Sequence, residues 1–322
     1  MFTMLLSMKK TKLNKTHEEA VMRKTFFVLS FLTMFFISIS IISQVATAKQ
    51  DELVKINPVK LTEQIYMLVG KGGNIGIFTG EDGTFMIDDQ YAPLTEKIIT
   101  AIKSIGGDHP KFLLNTHYHG DHTGGNENLG EEGTLIFSHD NVRERLAYGY
   151  YLKEFKAKQE SLDPDGLPVV TFSDDMSFHI NGDTVRAIHV PGAHTDGDSF
   201  IIFKSANVIH AGDIFFNGFY PFIDVLHGGS LKGMIDGVDT ILSYADEKTK
   251  IIPGHGPLGD KQDLTSYRKM LWTVYEILRK LKADGKTAQE AAVAKPLADL
   301  DKEWADGLFK SDRWIEMIYS GI

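Results

Sequence analysis

Between Asn115 and Gly125 the chain reads NTHYHGDHTGG, which places His117, His119, Asp121 and His122 within six positions, directly after the apolar run Phe112-Leu113-Leu114. Imidazole and carboxylate groups at this spacing can serve as metal ligands, as a proton relay or as surface decoration. Alternate residues of an extended strand end share a face, so His117 and His119 point the same way. Asp121 and His122 follow in a turn and approach from another side. One strand end thus offers ligands to two different metal ions. Zinc usually takes at least three protein ligands, so further ligands are expected elsewhere in the chain.

Three more segments supply candidates: Pro191-Gly192-Ala193-His194-Thr195-Asp196-Gly197-Asp198-Ser199, His210-Ala211-Gly212-Asp213, and Pro253-Gly254-His255-Gly256. Each sets a single His or Asp in a Gly-rich turn beside a strand, where glycine lets backbone approach a shared centre. The chain contains no cysteine. Neither a thiolate nucleophile nor a thiolate ligand is available, and any metal site must be built from His and carboxylate.

The elements that must position these residues alternate in type. Gln64–Leu68, Ile75–Thr79 and Thr84–Ile87 read as strands joined by hairpins. An amphipathic helix carries Leu94, Ile98, Ile99, Ala101, Ile102 and Ile105 at helical spacing, and Phe112–Leu114 is a short buried strand. Beyond the histidine cluster the pattern predicts a strand at Thr134–Ser138 and a helix from about Asn141 to Gln159, with a surface loop over 160–168. Further strands are expected at Met176–Ile180, Thr184–His189, Ser199–Phe203, Asn207–His210 and Lys250–Ile252. Leu231–Tyr244 reads as a helix with Ser230 as its N-cap. From Leu264 onward the chain reads as two or three helices. Strands in both halves, with polar candidates at their ends, predict two sheets packed face to face with helices outside and a site on one rim.

Residues 1–48 read as an address and not as fold. Met22-Arg23-Lys24, an apolar stretch over Thr25–Val45, and Ala46-Thr47-Ala48 have the order of a secretory signal. The polar stretch before Met22 adds nothing to such a signal, which points to Met22 as the start. The expected mature protein begins at Lys49, with a main domain over 49–262 and a helical extension over 263–322, in the periplasm or secreted, and off the membrane once cleaved. Removing residues 1–48 takes away six Lys or Arg and two Asp or Glu, which moves the net charge from −9 to −13. Such a surface repels phosphate backbones and excludes nucleic acid as an expected partner.

HxHxDH, then GxHTxGD, GD and PGHG, in that order over about residues 59–262, resembles the metallo-β-lactamase superfamily. Asp88, in Met86-Ile87-Asp88-Asp89, fits a further motif of the family, an Asp at a strand end before HxHxDH. The resemblance implies an α+β fold, an αββα sandwich with the metal site on its rim. It implies two zinc ions, the first held by His117, His119 and His194 and the second by Asp121, His122 and His255. Asp213 would bridge them, and Asp88 would hold a ligand loop through hydrogen bonds. A hydroxide shared by the metals would attack a carbonyl, with Asp121 orienting it and taking its proton. Redox members of the superfamily replace the second His of HxHxDH with Glu or use one metal, so His119 and the complete second set point to zinc and hydrolysis.

The substrate is expected to be a small molecule containing a cyclic amide, lactone or ester, with β-lactam opening as one candidate reaction. Asp213 stands where cysteine-containing β-lactamases of the superfamily have Cys, and Ile214-Phe215-Phe216 follows without their substrate-binding Lys. A thioester hydrolase of glyoxalase II type would need a basic patch in the C-terminal helices. Arg268, Lys269, Arg279, Lys280 and Lys282 occur there at helical spacing, although a solvated face is the plainer reading. A third reading is an accessory metal-binding protein without catalysis. Phe216, Phe219 and Tyr220 could wall a substrate, and Gly229 and Ser230, at a helix N-terminus, could receive a carboxylate. His227 reads as an exposed loop residue.

Overall fold

Short runs rich in Ile, Val, Phe and Met, punctuated by Gly, Asn and Asp, form most of the strands. The structure is a computed structural model that describes residues 51–322, and the account below concerns the unit Lys55–Ile322. The expected signal lies outside the described residues. Strands β1 (Asn57–Lys60), β2 (Ile65–Val69), β3 (Ile75–Phe78) and β4 (Thr84–Ile87) form an antiparallel meander. Helix α1 (Thr95–Ser104) returns the chain to β5 (Pro110–Leu114), parallel to β4. Helices α2 (Gly120–Thr123) and α3 (Asn126–Glu131) lead to β6 (Leu135–His139) and helix α4 (Asp140–Tyr148). A separate hairpin, β7 (Tyr150–Leu152) with β8 (Ala157–Gln159), precedes β9 (Val170–Phe172), which completes the first sheet in the order β1-β2-β3-β4-β5-β6-β9.

The second sheet runs β10 (Asp175–Ile180), β11 (Asp183–His189), β12 (Ser199–Phe203), β13 (Val208–His210), β14 (Lys250–Ile252) and β15 (Gly259–Asp260). Helix α5 (Leu231–Tyr244) makes the crossover between the parallel strands β13 and β14. Ser230 caps it as expected, its hydroxyl accepting from Gly233 N at 3.0 Å. Four α-helices follow among the described residues, where two or three were expected: α6 (Lys261–Ala283), α7 (Ala288–Val293), α8 (Asp301–Trp304) and α9 (Ser311–Ile318).

The two-residue period of the strands assigns each face to a layer. Phe85 and Ile87 of the first sheet share a buried core with Val185, Ile201 and Phe203 of the second. Phe78 meets Phe203 edge-on at 5.4 Å, and Phe85 meets Phe178 at 4.9 Å. The opposite face of the second sheet, with Phe200 and Ile209, is buried against Met234 and Val238 of α5 and Leu271 and Val274 of α6. Trp304, Trp314 and Ile315 belong to that same buried cluster, so the C-terminal helices are part of the core of the second half. The result is the αββα sandwich.

One expected element is wrong. The helix predicted from Asn141 to Gln159 ends at Tyr148, and the chain turns into the β7–β8 hairpin. Gly149 makes the turn with φ of 71°, and a Cβ there would lie 2.6 Å from the Gln159 carbonyl oxygen. A glycine at that point, followed by the β-rich Tyr150-Tyr151-Leu152, is the local signal that a helical reading passes over.

Candidate metal centre

Asp88 follows β4, His117 and His119 follow β5, His194 follows β11, Asp213 follows β13 and His255 follows β14, so strand ends of both sheets deliver these side chains to one rim. After β5, His119 caps α2, and His122 N bonds back to His119 O at 2.9 Å. This single helical turn swings Asp121 and His122 away from His117 and His119. Ligand atoms of His117, His119, His194 and Asp213 form one group and those of Asp121, His122 and His255 a second, each within 4.8 Å. The close approach depends on glycine. A Cβ on Gly73 would lie 2.1 Å from His122 Cε1, and one on Gly254 would lie 2.0 Å from Asp213 Oδ1.

The outward nitrogens of four rings are tied to acceptors. His117 Nδ1 donates to Thr116 Oγ1 at 3.0 Å, and that hydroxyl donates to Asp88 Oδ2 at 2.8 Å. His119 Nε2 donates to Asp224 Oδ2 at 3.2 Å, His194 Nδ1 to Phe222 O at 2.8 Å, and His122 Nδ1 to Asp88 Oδ2 at 2.7 Å. With those protons placed outward, the lone pairs of His117 Nε2, His119 Nδ1 and His194 Nε2 face one another. His119 Nδ1 stands 3.1 Å from His117 Nε2 and 2.8 Å from His194 Nε2. Three lone pairs at that separation repel unless a cation lies between them, and carboxylate- or carbonyl-anchored imidazoles are the usual setting of a metal ligand.

Asp213 is buried and faces both groups. Its Oδ2 lies 3.4 Å from His194 Nε2 and 3.8 Å from His117 Nε2, while its Oδ1 lies 3.1 Å from His122 Nε2 and 3.4 Å from His255 Nε2. Oδ1 has no hydrogen-bond partner, an orphan that a cation would satisfy. Electrostatics agree. Burial holds the His194 ring at about 4 against the opposing charge of Asp213, so it is neutral at physiological pH. Burial also lowers His255, but Asp213 and Asp121 outweigh it and raise that ring to about 9. The second group therefore favours positive charge. The donor set, all imidazole and carboxylate, suits zinc.

Asp88 ties two parts of the ligand segment together. Its Oδ1 accepts from Thr116 N at 2.7 Å, so one carboxylate fixes the start of the His117 segment and the His122 ring together. Its backbone sits at φ of 58° and that of Gln90 at 59°, a strained left-handed pair beside the site. Asp224 was not foreseen. Besides His119 it accepts from Tyr118 Oη at 3.2 Å and His227 Nδ1 at 2.7 Å. His227 is consequently buried behind His119 instead of exposed, a correction that no local sequence feature announces. Asp224→Ala is expected to weaken metal binding about 10- to 100-fold by freeing the His119 ring. Competition against a chromogenic chelator measures this, and an unchanged affinity would refute the role.

A cavity of about 630 Å³ opens over His119, Asp121, Asp213 and His255. Of the substrate contacts expected from sequence, Phe216 and Phe219 line it. The other three do not. Tyr220 is fully buried, stacked on Trp314 at 4.4 Å with its hydroxyl donating to Asp301 at 3.0 Å. Gly229 packs behind His194, where a Cβ would lie 2.2 Å from the His194 carbonyl oxygen. The Ser230 hydroxyl is used by its helix cap and by Gly192 O at 3.1 Å. The hairpin residues Tyr150, Leu152, Phe155 and Lys158 line the cavity instead, as do Phe222 and the loop 306–308.

The sequence model of the "Metallo-beta-lactamase superfamily" matches residues 68–271. The chain belongs to the metallo-β-lactamase superfamily. Membership places it among metal-dependent hydrolases. A metallo-β-lactamase from Pontibacter korlensis superposes with a TM-score of 0.54 over 68% of this chain and 99% of its own, at 19% identity, which is a likeness of fold. The "Beta-lactamase-like protein 2 homolog" of Caenorhabditis elegans is 25% identical over 65% of this superfamily member and 67% of its own length. A Pelagibacter ubique "Hydroxyacylglutathione hydrolase" is 29% identical over 46% of the chain and 52% of its own length. The chain thus spans from half to about two thirds of the curated relatives it matches here.

Proposed function

We propose that this chain is an exported dizinc hydrolase that opens a carbonyl compound by attack of water. The carrying observation is Asp213, buried between the two histidine groups with one oxygen toward each. His117, His119 and His194 would hold the first ion, Asp121, His122 and His255 the second, and Asp213 both. Zinc supplied there would lower the pKa of water to about 7 and polarise a carbonyl.

The protein's own contribution is positioning and proton transfer. Asp121 borders the cavity and is about a quarter exposed, whereas Asp213 is buried. Burial would raise its carboxyl, but the charges of His122 and His255 prevail and keep it ionised. It orients the water, takes its proton and passes it to the leaving atom. The new bond joins water oxygen to the carbonyl carbon, and the bond to nitrogen, oxygen or sulfur breaks. Nothing is oxidised or reduced.

One relative bears on the substrate class. The Pelagibacter protein is named for a glutathione substrate, yet none of Arg268, Lys269, Arg279, Lys280 and Lys282 lines this cavity. Arg268 pairs with Asp239 at 2.8 Å and Arg279 with Glu276 at 3.1 Å, as a solvated face would. Export draws support from the sequence of residues 1–48, and among the described residues no helix is long and apolar enough to cross a membrane. N-terminal sequencing of secreted protein should begin at Lys49. A panel of a cephalosporin, a lactone, an aryl ester and a thioester tests the hydrolase reading, with turnover expected on at least one and lost with chelator. Full zinc loading without turnover on any would favour an accessory role.

A further inference from the structure

The cavity has two walls that the histidine motifs do not account for. One is the β7–β8 hairpin. Its base is tied to the metal loop by Tyr150 Oη donating to Tyr118 O at 2.8 Å. Its tip carries Phe155, 45% exposed, whose ring meets Phe222 at 5.1 Å and Phe309 at 5.9 Å. The other is the segment before α9, where Leu308 is 56% exposed and lines the cavity. Gly307 packs directly on Phe219, where a Cβ would lie 2.5 Å from Cδ2. Arg313 clasps the walls together, donating to Glu154 O at 2.5 Å with its guanidinium over the Phe309 ring.

Between these walls lies a slot that is apolar over most of its depth. Phe155, Phe216, Phe219, Phe222, Leu152 and Leu308 face it. Among the described residues that line it, Lys158 is the one Lys or Arg, and its Nζ is engaged by Glu160 at 2.7 Å. Leu152, Phe155, Phe219 and Leu308 are left partly exposed there, and such side chains beside a candidate metal centre lose water only when a ligand covers them. Away from the metal end, a charged acyl group finds few polar groups to replace its hydration. A volume of about 630 Å³ suits a mid-sized molecule and exceeds what an acetyl group would fill.

We propose that the slot between the hairpin and the segment before α9 is an acyl-binding site, and that it selects esters or thioesters whose acyl part is an uncharged, apolar chain or aryl group. This substrate class rests on the hydrolase reading above, but the slot can be read without catalysis. The acyl chain lies between Phe155 and Leu308 with its carbonyl at the His119 and Asp121 end. Attack by water then releases the apolar acid and the alcohol or thiol.

Zinc-loaded protein is assayed on 4-nitrophenyl acetate, butyrate, hexanoate and octanoate, and kcat/KM is expected to rise on the order of 100-fold across the series. Phe155→Ala and Leu308→Ala, both partly exposed and outside the buried cores, should each cut the octanoate-to-acetate ratio at least about fivefold. Arg279→Ala, on the remote face, should leave the ratio unchanged. Calorimetry with octanamide against acetamide reads the slot directly: octanamide should bind measurably, acetamide should not, and Phe155→Ala should weaken octanamide. A flat ester series, or octanamide binding that is absent or indifferent to both substitutions, overturns the slot. Octanamide binding without turnover of any ester overturns the hydrolase reading and leaves the slot standing.

Discussion

Asp213→Ala is expected, on the dizinc hydrolase proposed above, to abolish hydrolysis, by at least about 10³-fold in kcat/KM, and to lower the metal bound per chain by at least half. The size follows from what the carboxylate does. One oxygen lies 3.1 Å from His122 Nε2 and the other 3.4 Å from His194 Nε2, so a single substitution removes a ligand from both groups. Metal polarisation of a carbonyl is worth several kcal/mol of transition-state stabilisation, which is several powers of ten in rate. The neighbouring rings also lose their main counter-charge, since Asp213 is the largest raising influence on both His122 and His255. His119→Ala and Asp121→Asn should likewise abolish activity. The sandwich core, built from Phe85, Ile87, Ile201 and Phe203 among others, contains none of these residues, so each variant should keep the far-ultraviolet spectrum of the parent. Activity within tenfold of the parent at full zinc content would remove Asp213 from the mechanism, and loss of fold would make the cluster structural.

The second large effect concerns stability. Trp314→Ala is expected to cost about 3–5 kcal/mol and to lower Tm by roughly 10 °C for a unit of this size. Trp314 is fully buried, stacks on Tyr220, and donates from Nε1 to Pro221 O at 2.6 Å. It therefore joins α9 to the chain segment that leaves Asp213. The substitution opens a cavity and orphans a carbonyl in one step. Thermal unfolding followed by circular dichroism measures the shift. A change below about 2 °C would mean that the C-terminal helices are an appendage and not part of the core.

How much of this was legible beforehand depended on distance along the chain. The strand-and-turn text around residues 64–87 is read correctly because alternation and Gly-rich turns are local properties. The edge strands β1 and β9 are missed, being three or four residues long, and β1 contains Pro58. The helix over residues 231–244 and its Ser230 cap are legible for the same local reason, since an N-cap bonds within three residues. The substrate contacts fared unevenly. Phe216 and Phe219 reach the cavity, while Tyr220, one position on, turns into the core to meet Trp314, a partner more than ninety residues away in sequence.

The sequence by itself determined which side chains could form the centre. His117, His119, Asp121 and His122 are neighbours in any extended-then-turned backbone, and His194, Asp213 and His255 each stand in a glycine turn at a strand end. Tertiary structure alone decided what surrounds them. Asp224 reaches His119 across 105 positions, and Phe155 meets Phe309 because a hairpin and the segment before the last helix close over one rim. Ligand spacing is written in bonds of the local chain. The shape and polarity of the slot arise from packing between segments that only the folded sandwich brings together.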